Sequence, residues 1–343
     1  MRYFLLYIFL LLSTVQSYGQ EAYPKVIAQK GDGVYTLLRR HGLEVSKYLH
    51  SFLELNKDQL GDGNSLFAGR TYLLPLKLKK EAEAPEVKKV ARAAEKRVLE
   101  VPLLGAKYAR VEVKDQRLKG AVYYLVSGHG GPDPGAVGKY GPYALAEDEY
   151  AYDVTIRLAR RLMEHGATVY MIIQDPDDGI RDENILELDR DELTYPDKAI
   201  PYSQKERLRQ RTAAVNGLYA KHKGDYQRML AIHVDSRSKS QNIDVFFYHH
   251  ENSSDGQKLA ENIHQTFTAK YKRYQPHRDY FGSVSHRSSL YVIKYSHPPT
   301  VFIELGNIRN NIDQRRFVIA NNRQALANWI CEGILSDYQV NIN

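Results

Sequence analysis

The sequence predicts an α/β protein in two parts: a small β-α-α-β domain near the start, then a larger three-layer domain built on a mixed sheet. Three observations predict it. At 343 residues the chain is long enough for two domains and a sizeable core. Short apolar, β-rich runs such as Tyr123-Tyr124-Leu125-Val126 alternate with helical segments through residues 121–335. Between the two parts, residues 76–98, LKLKKEAEAPEVKKVARAAEKRV, are rich in Lys, Glu and Ala with one proline and no aromatic residue, the composition of a solvated linker.

In chain order, MRYFLLYIFLLLSTVQSYGQ comes first, with one arginine, an apolar run from Tyr3 to Leu12, and small residues Ser17 and Gly19. This is the pattern of a secretory signal over residues 1–19, cut near Gln20. The apolar run is shorter than the roughly 20 residues a spanning helix needs, and no later segment is apolar enough. An exported chain is therefore expected, periplasmic or associated with the cell wall, without stable membrane insertion. Cys331 is the only cysteine, which excludes an intrachain disulfide. The net charge of +7 suits an anionic partner. Nucleic acid and bacterial wall polymers both qualify on charge, and export favours the wall over nucleic acid.

Residues 23–75 begin with a short strand at Val26 to Ala28 and a turn at Lys30-Gly31-Asp32. A helix follows whose apolar face is Val34, Leu37 and Leu38, then a second helix around Tyr48 to Leu55, and GRTYLLP closes as a strand ending at Pro75. The K-G-D turn, Asn56 at the end of the second helix and the G-x-x-Y-x-L-P close resemble a LysM module. That resemblance implies binding to N-acetylglucosamine-containing glycans. Gly33 stands where such modules usually carry threonine.

The larger domain is expected over residues 99–338. A buried strand at 121–126 leads into a glycine loop and a helix at about 147–164, which His165-Gly166 ends. Strand ATVYMII follows, then a long polar stretch and a helix at about 203–222. Strands are expected at 229–234, 243–249, 289–294 and 300–305, with a helix at about 254–271 and a last one at about 312–335.

Three of the apolar strands deliver a metal-competent or acidic side chain at or just past the carboxyl end, where open α/β sheets tend to bind ligands. His129 follows YYLVSG, His233 lies in MLAIHVDS, and Glu304 lies in TVFIELG. A buried glutamate after Val301-Phe302-Ile303 carries a heavy desolvation cost unless it is paired. Two histidines plus a carboxylate form one of the known zinc-hydrolase ligand sets, and a further carboxylate must sit beside the reacting water. Glu147, opening the helix after the glycine loop, can return toward His129. Glu149 is roughly 200° further around that helix, so only one of the pair can point inward.

The order G-H-G-G-x-D-x-G-A-x-G (128–138), E-D (147–148), L-x-x-R-x-x-x-x-N (208–216), I-H-V-D-S (232–236) and E-L-G-x-x-x-N (304–310) resembles the zinc-dependent N-acetylmuramoyl-L-alanine amidases. The resemblance implies Zn2+ bound by His129, Glu147 and His233, with Glu304 as catalytic acid and base. It implies peptidoglycan as partner and hydrolysis of the amide joining N-acetylmuramic acid to L-alanine of the stem peptide. Asn307, Asp235 and Gln174 depart from the family's usual phenylalanine, asparagine and arginine. Two other readings of these residues are a catalytically silent wall-binding scaffold and a zinc peptidase cutting within the stem peptide. Residues 175–198 hold ten acidic and three basic residues. They are expected to form a solvated acidic loop, with two sharper alternatives: a carboxylate that caps the zinc site, or a surface that docks a basic protein activator.

Overall fold

The computed structural model describes residues 23–29, 32–43, 45–61, 65–76, 97–236 and 243–342. The expected signal segment 1–19, residues 30 and 31 of the K-G-D turn, and residues 77–96 of the linker lie outside the described residues. The chain divides into two compact units, Met1–Ala91 and Arg92–Asn343. Among the described residues no helix is long and apolar enough to cross a membrane.

In the first unit, β1 (Lys25–Ile27) pairs antiparallel with β2 (Thr71–Leu73), and α1 (Val34–Arg40) and α2 (Val45–Asn56) lie between them in sequence. Leu37, Leu38, Phe52 and Tyr72 are fully buried in its core. Asn56 explains how the last turn of α2 meets the closing strand. Its side-chain amide donates to the carbonyls of Phe52 and Leu73, each at 2.8 Å, and its Oδ1 accepts the Leu73 N–H at 2.7 Å. A buried amide with all these partners is satisfied, so burial costs it little.

The second unit opens with a hairpin, β3 (Val98–Glu100) and β4 (Arg110–Glu112). Next come β5 (Ala121–Ser127), a second hairpin of β6 (Val137–Tyr140) and β7 (Tyr143–Ala146), and α3 (Glu147–Glu164). The short strands β8 (Thr168–Met171), β9 (Ile173–Gln174), β10 (Leu193–Thr194) and β11 (Lys198–Ala199) lead to α4 (Gln204–Lys221). The chain continues through β12 (Tyr226–Asp235), β13 (Phe246–His249), α5 (Ser254–Tyr274), β14 (Ser283–His286), α6 (Tyr291–Tyr295) and β15 (Thr300–Asn307). It ends with α7 (Asn311–Val318) and α8 (Ala320–Ile342).

Six strands form the central sheet in the order β14-β13-β15-β12-β5-β8. The ladders are parallel except where β13 runs against β15, so the sheet is mixed. Alternation along the strands sends Leu125, Ile232 and Ile303 into one apolar layer with residues of α3, α5 and α8. Val126, Ala231 and Phe302 point to the other face, under α4 and α6. The carboxyl ends of β5, β12 and β15 are therefore adjacent at one edge, which is what gathers the site.

Two expected elements differ. Residues 289–294 were expected as a strand, but Tyr291–Tyr295 form the short helix α6, whose Lys294 N–H donates to the Leu290 carbonyl at 2.8 Å. A four-residue apolar run has no resolvable period, and here Val292 and Ile293 cover the sheet face instead of extending it. The last helix is also two helices, because Ile319 takes an extended conformation between α7 and α8. Fully buried Arg323 donates to the carbonyls of Phe317 and Val318, which the break leaves free.

Candidate functional site

The loop after β5 begins with Gly128, and its glycine has a packing reason. A Cβ there would stand 2.4 Å from the His233 ring, so only a bare backbone lets β5 and β12 deliver their side chains this close together. His129 follows with φ of 62°, the left-handed region that histidine adopts only when its surroundings hold it there. The loop then returns, and the N–H and carbonyl of main-chain partners dock it on the start of α3: Glu147 N–H donates to Ala136 O at 2.9 Å.

Glu147 faces both histidines. Its Oε2 lies 3.3 Å from His129 Nε2, and its Oε1 lies 3.0 Å from His233 Nδ1. The two oxygens also accept backbone N–H groups from Ala136 at 3.0 Å and Val234 at 3.1 Å. One nitrogen or oxygen from each of His129, Glu147 and His233 lies within 4.8 Å of the others. Two ligands at the usual distance from a tetrahedral zinc stand roughly 3.3 Å apart, so the separations fit such an ion. Glu149 points elsewhere, toward Arg181 at 2.9 Å.

Glu304 is the register partner of His233 across β12 and β15, and by alternation both project to the same face. Its Oε2 is shut off from solvent and has no hydrogen-bond partner. Burial pushes the Glu304 carboxyl well above the ordinary carboxylate range, and the charges of Glu147 and Asp235 push it further. For His129, burial works against the charged form, but hydrogen bonds to Asp133 and Glu147 prevail and carry it up to about 10. Burial works in the same way on Glu147, and there the two histidines prevail and hold the carboxylate well below its ordinary value. Burial pushes the third group, His233, the other way, below its ordinary value, against its hydrogen bond to Glu147.

Three residues matter that the sequence reading gave no role. Asp133 Oδ2 lies 2.9 Å from His129 Nδ1, which leaves Nε2 for the Glu147 side. Arg207 on α4 holds Asp133 at 2.6 Å, and buried Arg211 donates to the His129 carbonyl at 2.9 Å. The signal for Asp133 was present as H-x-x-x-D within the glycine loop. Arg211 is the arginine of L-x-x-R-x-x-x-x-N (208–216), which was given no role, and Arg207 depends on where α4 returns, which no local pattern reveals. His233 stacks on Phe302 with ring centroids 4.3 Å apart, and a cavity beside the rings is lined by His129, His233, Arg211, Leu290, Tyr291 and Phe302.

The family model of N-acetylmuramoyl-L-alanine amidases, Amidase_3, matches residues 124–336. The chain belongs to this family. Its activity is accordingly that of a peptidoglycan amidase, cleaving between N-acetylmuramic acid and the L-alanine of the stem peptide. An uncharacterised Bacillus subtilis protein, YqiI, is 26% identical over 222 residues, covering 64% of this chain and 86% of its own length. Among solved structures, the amidase AmiC2 of Nostoc punctiforme is similar at 20% identity and a TM-score of 0.45, over 65% of this chain and 99% of that one. The CwlD amidase of Clostridioides difficile, solved with the GerS lipoprotein, is similar at 19% identity and a TM-score of 0.48, over 64% of this chain and 98% of that one.

Proposed function

We propose that this amidase works with one zinc ion held by His129, Glu147 and His233, and that Glu304 is its catalytic base and acid. The observation that carries the reading is the meeting of two imidazole nitrogens and one carboxylate beside the buried, unpartnered oxygen of Glu304. Mixed nitrogen and carboxylate donors with three protein positions filled match a catalytic zinc site that keeps a fourth position open. When bound, zinc supplies a Lewis acid for the scissile carbonyl and lowers the pKa of water.

The chain's own residues do the rest. Asp133 fixes the His129 tautomer through Nδ1, and Arg207 fixes Asp133. Glu147 is anchored by two backbone N–H groups, so its oxygens are aimed in advance. Glu304 takes the proton of the attacking water and delivers it to the departing alanine nitrogen. The first unit, with its strand-helix-helix-strand order, is proposed as a LysM-like glycan-binding module that raises the local concentration of wall polymer, in a protein exported to the periplasm or cell wall.

Metal analysis of the purified full chain should give one zinc per molecule. Glu304→Ala should keep that zinc and lose hydrolysis by a factor of 10² or more, the usual contribution of a positioned acid or base. Mass spectrometry of digested peptidoglycan should show freed lactyl groups and intact stem peptides. Retained hydrolysis in Glu304→Ala, or a zinc-free active enzyme, would overturn the assignment.

A further inference from the structure

Five aspartates of the acidic stretch after β9 lie outside the proposed ligand set and gather into a cluster of their own. Asp175, Asp177 and Asp178 leave the end of β9, and Asp189 and Asp191 return toward β10. Carboxylate oxygens of Asp175, Asp178 and Asp189 lie within 4.8 Å of one another, as do those of Asp175, Asp177 and Asp191. Asp175 belongs to both groups and is 1% exposed. Its Oδ1 accepts the Asp178 N–H at 2.9 Å, while its Oδ2 is buried with no hydrogen-bond partner. Asp189 Oδ1 is buried in the same unpartnered state.

Basic residues do not account for this. Arg181 pairs with Asp178 and is shared with Glu149 at 2.9 Å. Among the described residues, Asp175, Asp177, Asp189 and Asp191 form no salt bridge with lysine or arginine. Burial pushes the Asp175 carboxyl up to about 8. Burial and then the neighbouring Asp189 and Asp177 carry Asp191 up to about 6. Carboxylates crowded in this way must take up protons or share a cation. Buried Asp175 forms the floor of the cluster and exposed Asp177 and Asp191 its rim, which leaves an entry from solvent.

We propose that Asp175, Asp177 and Asp191 bind a calcium ion, at a site separate from the His129, Glu147 and His233 centre. The donor chemistry selects the ion. Every ligand is a carboxylate, which excludes the nitrogen and sulfur preference of zinc, and three carboxylates with water complete the six to eight oxygens that calcium takes in flexible geometry. The ion's position gives it a task. Asp189 N–H donates to Glu149 Oε1 at 3.1 Å on the first turn of α3, and Glu192, next to Asp191, accepts the Gly131 N–H at 2.6 Å. Calcium thus clamps the loop that braces both the His129 turn and the helix carrying Glu147.

Terbium, which replaces calcium on oxygen ligands, tests this in the zinc-loaded full chain. Tyr152 is in place to sensitise it, since its hydroxyl accepts the Asp175 N–H at 3.1 Å. Tyrosine-excited terbium emission should rise on binding and be displaced by calcium. The Asp175→Asn, Asp191→Asn double variant should abolish it. Asp177→Asn, at the exposed rim and so neutral to folding, should weaken calcium affinity tenfold or more. Calcium should raise the Tm of the natural protein but not of the double variant. The proposal fails if millimolar calcium leaves the Tm unmoved, or if terbium emission persists unchanged in Asp177→Asn. It also fails if the Tm gap between the double variant and the natural protein is the same with and without calcium, which is what simple relief of repulsion produces. Loss of zinc binding would sink the catalytic reading without touching this one.

Discussion

His129, His233 and Glu304 could be singled out from sequence because each is a chemically unusual residue placed where an apolar segment ends, and Glu147 because it opens the helix that returns toward His129. Arg207 could not, and Arg211 was visible only as a motif position without a role, because both reach the site through the packing of α4. Asp133 is the residue whose removal best separates positioning from ligation. Asp133→Asn leaves every proposed metal ligand in place but weakens the hold on His129 Nδ1, so zinc affinity should fall about 10–100-fold, read by competition with a chromogenic chelator. Glu304 makes a prediction of opposite character. Its folded carboxyl titrates above the unfolded value, so the unfolded state binds fewer protons between the two, and stability falls as pH rises through that interval. Glu304→Gln removes the dependence. In zinc-free protein the Tm of the variant should exceed that of the natural protein at neutral pH, by about 2–4 °C per kcal/mol relieved, and the gap should close toward pH 4.

At the level of elements, long periodic segments were legible and short ones were not. The helix expected at about 147–164 is α3 at Glu147–Glu164, because Val154, Leu158 and Leu162 recur at four-residue spacing up to the His165-Gly166 ending. Tyr291–Tyr295 carries no such agreement, and the hairpin of β6 and β7 lies inside a stretch read only as loop. The close approach of β5 to β12 was hidden as well, since a glycine announces permissiveness but not the partner it admits. Gly128→Ala tests that approach. The added methyl must displace the His233 ring, so the variant should fold, by circular dichroism, yet bind substoichiometric zinc and lose activity by 10² or more. Arg323 tests the junction of α8 with α3. It is fully buried against Asp153 at 2.5 Å, and its guanidinium also donates to the carbonyls of Arg181 and Glu183. Arg323→Met should cost about 1–3 kcal/mol by denaturant titration, because Arg157 still pairs with Asp153 at 2.7 Å while the carbonyls of Phe317 and Val318 lose their buried donor.

Across the molecule, the α/β class and the strand ends that carry chemistry followed from alternation of apolar runs with helical periods. The ordering of those strands did not, because β13 enters antiparallel beside β15 and no local signal fixes that choice. The two compact units predict a division of labour. A chain lacking residues 23–75 should cleave soluble muropeptides with unchanged kcat but sediment poorly with insoluble wall, and equal sedimentation would remove the binding role from the first unit. The amide groups of Ala136 and Val234 that grip Glu147 bear on the history of each molecule. Because main chain, and not the ion, aims that carboxylate, stripping with a chelator should silence the enzyme while its circular dichroism spectrum persists, and re-adding zinc should restore turnover without refolding. Such a protein can be made and delivered empty, and armed where it is used.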